Sequence, residues 1–175
     1  MVRNEHQRIL PASADQVGAL VDRLASKEDI LWPGTHWPAM RFDRPLSVGA
    51  VGGHGPIRYV VTAYTPGRMI EFRFTGPEGF VGTHSLHVES LEPSRTRLRH
   101  LILMHPEGSA RLSWPLLFRH LHDALIEDAL DNAERYFVPD APKRSHWSWY
   151  VRFLRWLRTR VSSQSRKART NPINP

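Results

Sequence analysis

Between residues 57 and 105 apolar side chains recur at every second position, and the run is cut by Pro66-Gly67, Gly76-Pro77-Glu78-Gly79 and Glu92-Pro93-Ser94. A period of two specifies strands, and connections this short join antiparallel neighbours rather than the parallel pairs of a βαβ layout. The pattern places strands near 40–46, 57–65, 68–75, 80–91 and 95–105, with a tight loop at Gly52-Gly53-His54-Gly55-Pro56 before the second. Val2 to Leu10 reads as an opening strand of weak alternation, with Val2, Asn4, His6, Arg8 and Leu10 on one face. Each of the later strands has one apolar face, and that face needs a cover.

Helical spacing supplies the cover. Ser13 is a fitting N-cap for a first helix carrying Val17, Leu20, Val21 and Leu24. Residues 27–40 read as a second short helical turn, then an irregular loop with Trp32 and Trp37 beside prolines. From Ser109 to Phe137 one long helix carries Trp114, Leu117, Phe118, Leu121, Leu125, Ala129, Asn132 and Tyr136 on one stripe, with Pro115 in its first turn. A single helix does not fill a curved sheet, so a cavity between them is expected.

The order of elements resembles the START-related or SRPBCC superfamily, the helix-grip fold of birch-pollen-allergen-like proteins, lipid-transfer domains and polyketide cyclases/dehydratases. The carrying stretches are Pro11-Ala12-Ser13-Ala14, Tyr64-Thr65-Pro66-Gly67-Arg68, Gly82-Thr83-His84-Ser85-Leu86 and the helix from Ser109 to Phe137. The resemblance runs from about Arg3 to Val138. It implies an α+β helix-grip fold: a curved antiparallel sheet wrapped around a long C-terminal helix, with two short helices after strand 1. It transfers no catalytic residue, because carriers, sensors and enzymes share this scaffold.

Strand alternation sends Phe72 and Phe74, then Phe80, His84 and Leu86, then Leu98, His100 and Ile102 to the inner face. The long helix adds Leu121, Leu125 and Asp128. A mostly apolar pocket with a few polar groups suits a hydrophobic small molecule or lipid. His84 and His100 are the candidates for acid–base work, since imidazole titrates near neutrality, and His54 belongs at the cavity mouth. No metal and no cofactor is expected: His120 and His122 point to different helix faces, His84 and His87 to opposite strand faces, and the chain has no cysteine. The glycines at 52–55 lack the following helix and Lys-Ser/Thr of a phosphate loop, and no Gly-x-Ser-x-Gly turn is present.

The net charge of +7 divides unevenly: residues 1–140 hold 15 Lys/Arg and all 17 Asp/Glu, while 141–175 hold 9 Lys/Arg and no acid. The expected division is a ligand-binding domain over 1–140 and a basic tail over 141–175, disordered at its end. Residues 145–161 read as a basic amphipathic helix outside the main fold, with Trp147, Tyr150, Phe153, Leu154 and Leu157 in one sector, Trp149 and Trp156 at its flank, and Arg152 and Arg155 opposite. Its fitting partners are the chain's own domain, a second copy in a homodimer, or an anionic membrane surface. The slightly acidic domain offers no second basic surface, which argues against nucleic acid. No apolar run reaches membrane-spanning length and the N-terminus lacks a signal peptide's apolar core, so the expected location is cytoplasmic, peripheral to the membrane if the tail docks there. Three functions fit: a carrier or sensor of a hydrophobic molecule, a polyketide cyclase/dehydratase-like enzyme, or an interaction protein working through its tail.

Overall fold

The computed structural model describes residues 1–157. Seven strands form one antiparallel sheet: β1 (Val2–Leu10), β2 (Arg41–Phe42), β3 (Val51–His54), β4 (Ile57–Thr65), β5 (Met69–Gly76), β6 (Phe80–Glu92) and β7 (Arg95–Pro106), in spatial order β1-β7-β6-β5-β4-β3-β2. The expected alternation holds in the long strands. Ile70, Phe72 and Phe74 on β5, His84 and Val88 on β6, and Thr96, Leu98, His100, Ile102 and Met104 on β7 are all buried. Register shifts in β4 beside Tyr59 and Thr62 bend the sheet around this face.

Two points of the strand pattern differ from expectation. The strand expected near 40–46 is only two residues long and lies at the sheet edge, and Gly52, Gly53 and His54 pair within β3 instead of forming a loop. The reason is a close approach: a Cβ on Gly52 would lie 2.3 Å from the carbonyl oxygen of Arg41, and one on Gly53 2.1 Å from that of Ile57.

Helix α1 (Ala14–Asp22) opens with the expected Ser13 cap, completed by Gln16 as a capping box. It packs on the β4–β5 turn at Gly18, where an added Cβ would meet the Gly67 carbonyl oxygen at 2.3 Å. Asp22 pins the same turn, accepting from the Tyr64 hydroxyl and the Gly67 amide, both at 2.9 Å. The second short helix does not form. Residues 23–28 are turns, and Asp29 accepts from the amides of Ala25 and Trp32, which closes the backbone without a helix.

The long helix runs from Ala110 to Phe137 as α2 (Ala110–Ser113), a π-helical turn (Trp114–Phe118) and α3 (Arg119–Phe137). Pro115 sits in the π turn rather than an opening turn, and its missing amide is accommodated there. The extra residue in that turn advances the helix face, so Leu125, Ile126, Ala129, Leu130 and Ala133 face the sheet while Tyr136 is exposed.

The described residues beyond 140 pack against the domain. Residues 141–148 form an irregular strap over α3, followed by a fourth helix, α4, over 149–157. Ser145 and Val151 are buried on the domain. Residues 145–148 are not helical, so α4 starts later than expected. Arg155 turns inward, its guanidinium 4.0 Å from the Trp147 ring centroid and 4.4 Å from that of Trp37. The expected helical residues 158–161 and the expected disordered end lie outside the described residues.

Candidate functional site

Between the sheet and α3 lies a cavity of about 470 Å³. Of the sequence-derived site residues, Phe72, Phe74, Phe80, His84, Leu86, Leu98, His100, Ile102, Leu121 and Leu125 all line it. His54 lines it too, beside Trp32, with ring centroids 4.7 Å apart. The strap helix contributes Leu154 and Leu157 to the wall, so the tail completes the cavity rather than standing apart from it.

Asp128 does not line the cavity. Its carboxylate turns toward the strap and accepts from the indole N–H groups of Trp37 (2.8 Å) and Trp147 (2.9 Å) and the hydroxyl of Ser145 (2.6 Å). Lys143 Nζ lies 3.3 Å away. Burial would raise this carboxyl, but the donors from Ser145, Trp37 and Trp147 hold it below the usual range. Asp131, one turn on, accepts from the backbone amides of Arg144 and Ser145. Asp128 and Asp131 therefore latch the strap onto α3.

The polar part of the cavity is a row of imidazoles. The His84 ring stacks on Phe72 and Phe74, with centroids 4.7 and 4.9 Å apart. His100 lies 5.7 Å from His84, and His122 of α3 lies 4.9 Å from His100. Nε2 of His84, Nδ1 of His100 and Nε2 of His122 are buried without a hydrogen-bond partner among the described residues. Burial pushes His84 and His100 well below the ordinary imidazole range, and neighbouring histidines push the same way. Burial also lowers His122, against the pull of Asp123. Sequence reasoning weighed His122 only as a metal ligand and did not place it in the cavity, although its spacing from Phe118, Leu125, Ile126 and Ala129 puts it on the apolar stripe.

Behind this row β1 and α3 share a charged seam. Asn4, His6 and Arg8 occupy alternate positions of β1, and Asp123, Glu127, Asp131 and Glu134 lie along one face of α3. His6 sits between two carboxylates, Nδ1 at 2.7 Å from Glu127 and Nε2 at 3.1 Å from Asp123. Both nitrogens donate only if the ring is charged. Burial opposes that charge, but Asp123 and Glu127 outweigh it and raise His6 to about 9. Burial likewise opposes the charge of Asp123, and donors from His122, His6 and Asn4 carry its carboxyl far below the usual range. Arg8 reaches Glu127, Asp131 and Glu134 at 2.9, 3.1 and 2.5 Å. His6, His122 and Asp123 bring ligand-type atoms within 4.8 Å of one another. Asp123 Oδ1 is already engaged by Asn4, His6 and His122, and the second nitrogen of His6 by Glu127, so the group reads as an ion-pair network.

No family model and no curated protein matches the sequence. Solved structures do. A protein from Thermobifida fusca aligns at 16% identity over 83% of this chain and 100% of its own, with a TM-score of 0.62. A norcoclaurine synthase point mutant from Thalictrum flavum, solved with a transition-state analogue, aligns at 14% identity over 79% of this chain and 94% of its own, TM-score 0.59. CalU16 from Micromonospora echinospora aligns at 14% identity over 93% and 86%, TM-score 0.56. At these identities the likeness speaks for architecture, and together with the observed sheet and long helix it establishes that this chain has the helix-grip fold.

Proposed function

We propose that this chain binds one apolar small molecule in the cavity between sheet and α3 and serves as its carrier or sensor. The observation that carries the reading is the cavity itself: about 470 Å³ in volume, and lined by aliphatic and aromatic side chains apart from a few imidazoles and indoles. That volume lies within the range of small-molecule sites. A packed core would have closed it, since interiors leave few voids larger than a water. The test is titration with an uncharged naphthalene-based dye. One-to-one saturation is expected, and Ala129→Phe, which pushes a ring into the cavity from α3, abolishes it with circular dichroism unchanged. Saturable binding that survives the filled cavity refutes the reading. A cyclase-like enzyme would use the same cavity with an imidazole moving a proton; turnover lost with His84 or His100 would favour it over a carrier.

A second observation favours a membrane surface as partner. Along α4, Trp149 is 79% exposed, Phe153 45%, Trp156 47% and Leu157 39%. Arg152 is exposed beside them, and no acid occurs from 141 onward. Exposed aromatic side chains with basic neighbours suit the headgroup region of an anionic bilayer. Co-sedimentation with anionic liposomes is expected for the full chain, weakened by salt and by Trp149→Ser with Trp156→Ser. Equal sedimentation of the double variant counts against this partner, and a dimer in solution that the substitutions dissociate would assign the edge to a second copy. Among the described residues no helix is long and apolar enough to cross a membrane.

A further inference from the structure

The polar wall of the cavity bears on the kind of molecule it takes, and the inference rests on the cavity being a ligand site. We infer that His84, His100 and His122 form a recognition patch for an uncharged aromatic molecule ending in a hydroxyl group.

The argument begins with what is left unpaired. Trp37 gives its indole N–H to Asp128, Trp32 gives its own to the Pro38 carbonyl, and His54 meets the Tyr59 hydroxyl at 3.3 Å. His84, His100 and His122 each keep a buried nitrogen without a partner among the described residues, and their rings follow one another at 5.7 and 4.9 Å along one wall. A buried polar atom without a partner is destabilising, and native proteins carry few of them. Three in sequence on the wall of one apolar cavity mark a place where a ligand's polar group supplies what the fold does not.

The charge of that group follows from the surroundings. Among the described residues, none lining the cavity carries a carboxylate, an ammonium or a guanidinium. A cationic ligand therefore finds no counter-ion. An anionic ligand fares no better: the charged imidazole of His6 is held on both nitrogens by Asp123 and Glu127, which stand behind His122. Neutral imidazole offers one donor and one acceptor, and a hydroxyl both donates and accepts, so it can bridge neighbouring rings of the row. The depressed basicity of His84 and His100 agrees with neutral rings. The rest of the molecule meets flat surfaces. Phe72 and Phe74 stack on His84, and Phe80 and Trp114 meet edge to face at 6.0 Å, a setting suited to an aromatic body.

The experiment is isothermal titration of the full chain with naphthalene, 2-naphthol and 2-naphthoate near neutral pH. These share a ring system and differ in the polar group. The expected order is 2-naphthol about tenfold tighter than naphthalene, the size of one good hydrogen bond to an otherwise unpaired group, with naphthoate weakest. In His100→Phe, which removes the central ring of the row, naphthol and naphthalene should bind equally while naphthalene keeps its affinity. The wild-type ligand series stands alone if that variant does not fold. Naphthalene binding as tightly as naphthol, or naphthoate binding tightest, overturns the inference and leaves the cavity reading intact. Failure of all three to bind defeats the cavity reading and this inference with it.

Discussion

His6 allows a sharp test of how the seam holds the first strand to the long helix. Its side chain is 15% exposed and lies between the carboxylates of Asp123 and Glu127. Folding raises its pKa from 6.5, the ordinary imidazole value, to about 9. Below about pH 6.5 the ring is charged in both states and the full stabilisation is present. Between 6.5 and 9 the native protein holds a proton that the unfolded chain has released, so stability falls by about 1.4 kcal/mol per pH unit. Above 9 the ring is neutral in both states and the contribution is gone. The total is roughly 3 kcal/mol, a large part of the stability of a domain this size. His84 and His100 act in the other direction. Buried and neutral, they refuse protons that the unfolded chain takes up below about pH 6.5, so stability also falls toward acid.

The assay is urea unfolding of wild type and His6→Gln across pH 6 to 10. Glutamine keeps much of the volume and cannot carry the charge. The stability difference between the two proteins should be constant below about pH 6.5, shrink by roughly 3 kcal/mol through the interval, and level off above 9. Both proteins should keep the acid limb. A difference that stays constant over the whole range would show that His6 is not charged in the folded protein, and that the two short contacts are not a charged pair of hydrogen bonds.

Two further outcomes follow from the same geometry. Arg8→Met leaves Glu127, Asp131 and Glu134 clustered without their shared cation, and should cost about 3–5 kcal/mol in urea unfolding, more than any single exposed ion pair of the sheet; a cost under about 1 kcal/mol would show that the seam is not held by this side chain. Asp128→Ala removes the acceptor shared by Trp37, Ser145 and Trp147, and should release the strap. Amide exchange should rise over 143–157 with the sheet still protected, whereas unchanged exchange there would mean the strap is held by Asp131 and apolar contact alone.

The apolar side of the fold is legible in the sequence because period and burial coincide. On β5, β6 and β7 every second residue is large and apolar, so one register fits the core and the alternative exposes it. The same rule carries His84 and His100 inward as passengers between Phe72, Leu98 and Ile102. It is silent on β1. Asn4, His6 and Arg8 alternate with Glu5 and Gln7, both faces are polar, and nothing local says which is buried. The answer lies about 120 residues away, in the acids at 123, 127, 131 and 134, whose helical spacing makes one stripe along α3. Asp128 shows the limit most clearly. Helical spacing places it beside Leu121 and Leu125, yet its partners come from residues 37, 145 and 147, and these draw it away from the cavity. Gly52 and Gly53 read as a loop by composition, and they are strand residues because backbones from both sides leave no room for a Cβ.

The seam and the cavity are chemically coupled through one strand pair. His6 of β1 stands directly opposite His100 of β7, and the His122 ring lies 6.0 Å from the first and 4.9 Å from the second. These are the same side chain in two settings. Between carboxylates, imidazole is held charged; among aromatic rings, it is held neutral. The two states support each other. Burial is the first cause of the depressed basicity of His100 and His122, and the fixed positive charge on His6 adds to it in both. Asp123 and Glu127 therefore do more than pin β1. By keeping the proton on His6 they disfavour a second positive charge on the adjacent rings, and so preserve an uncharged cavity wall. A fold that buried only apolar side chains along β1 would lose this effect, which gives the polar face of the strand a purpose that reaches past its own stability.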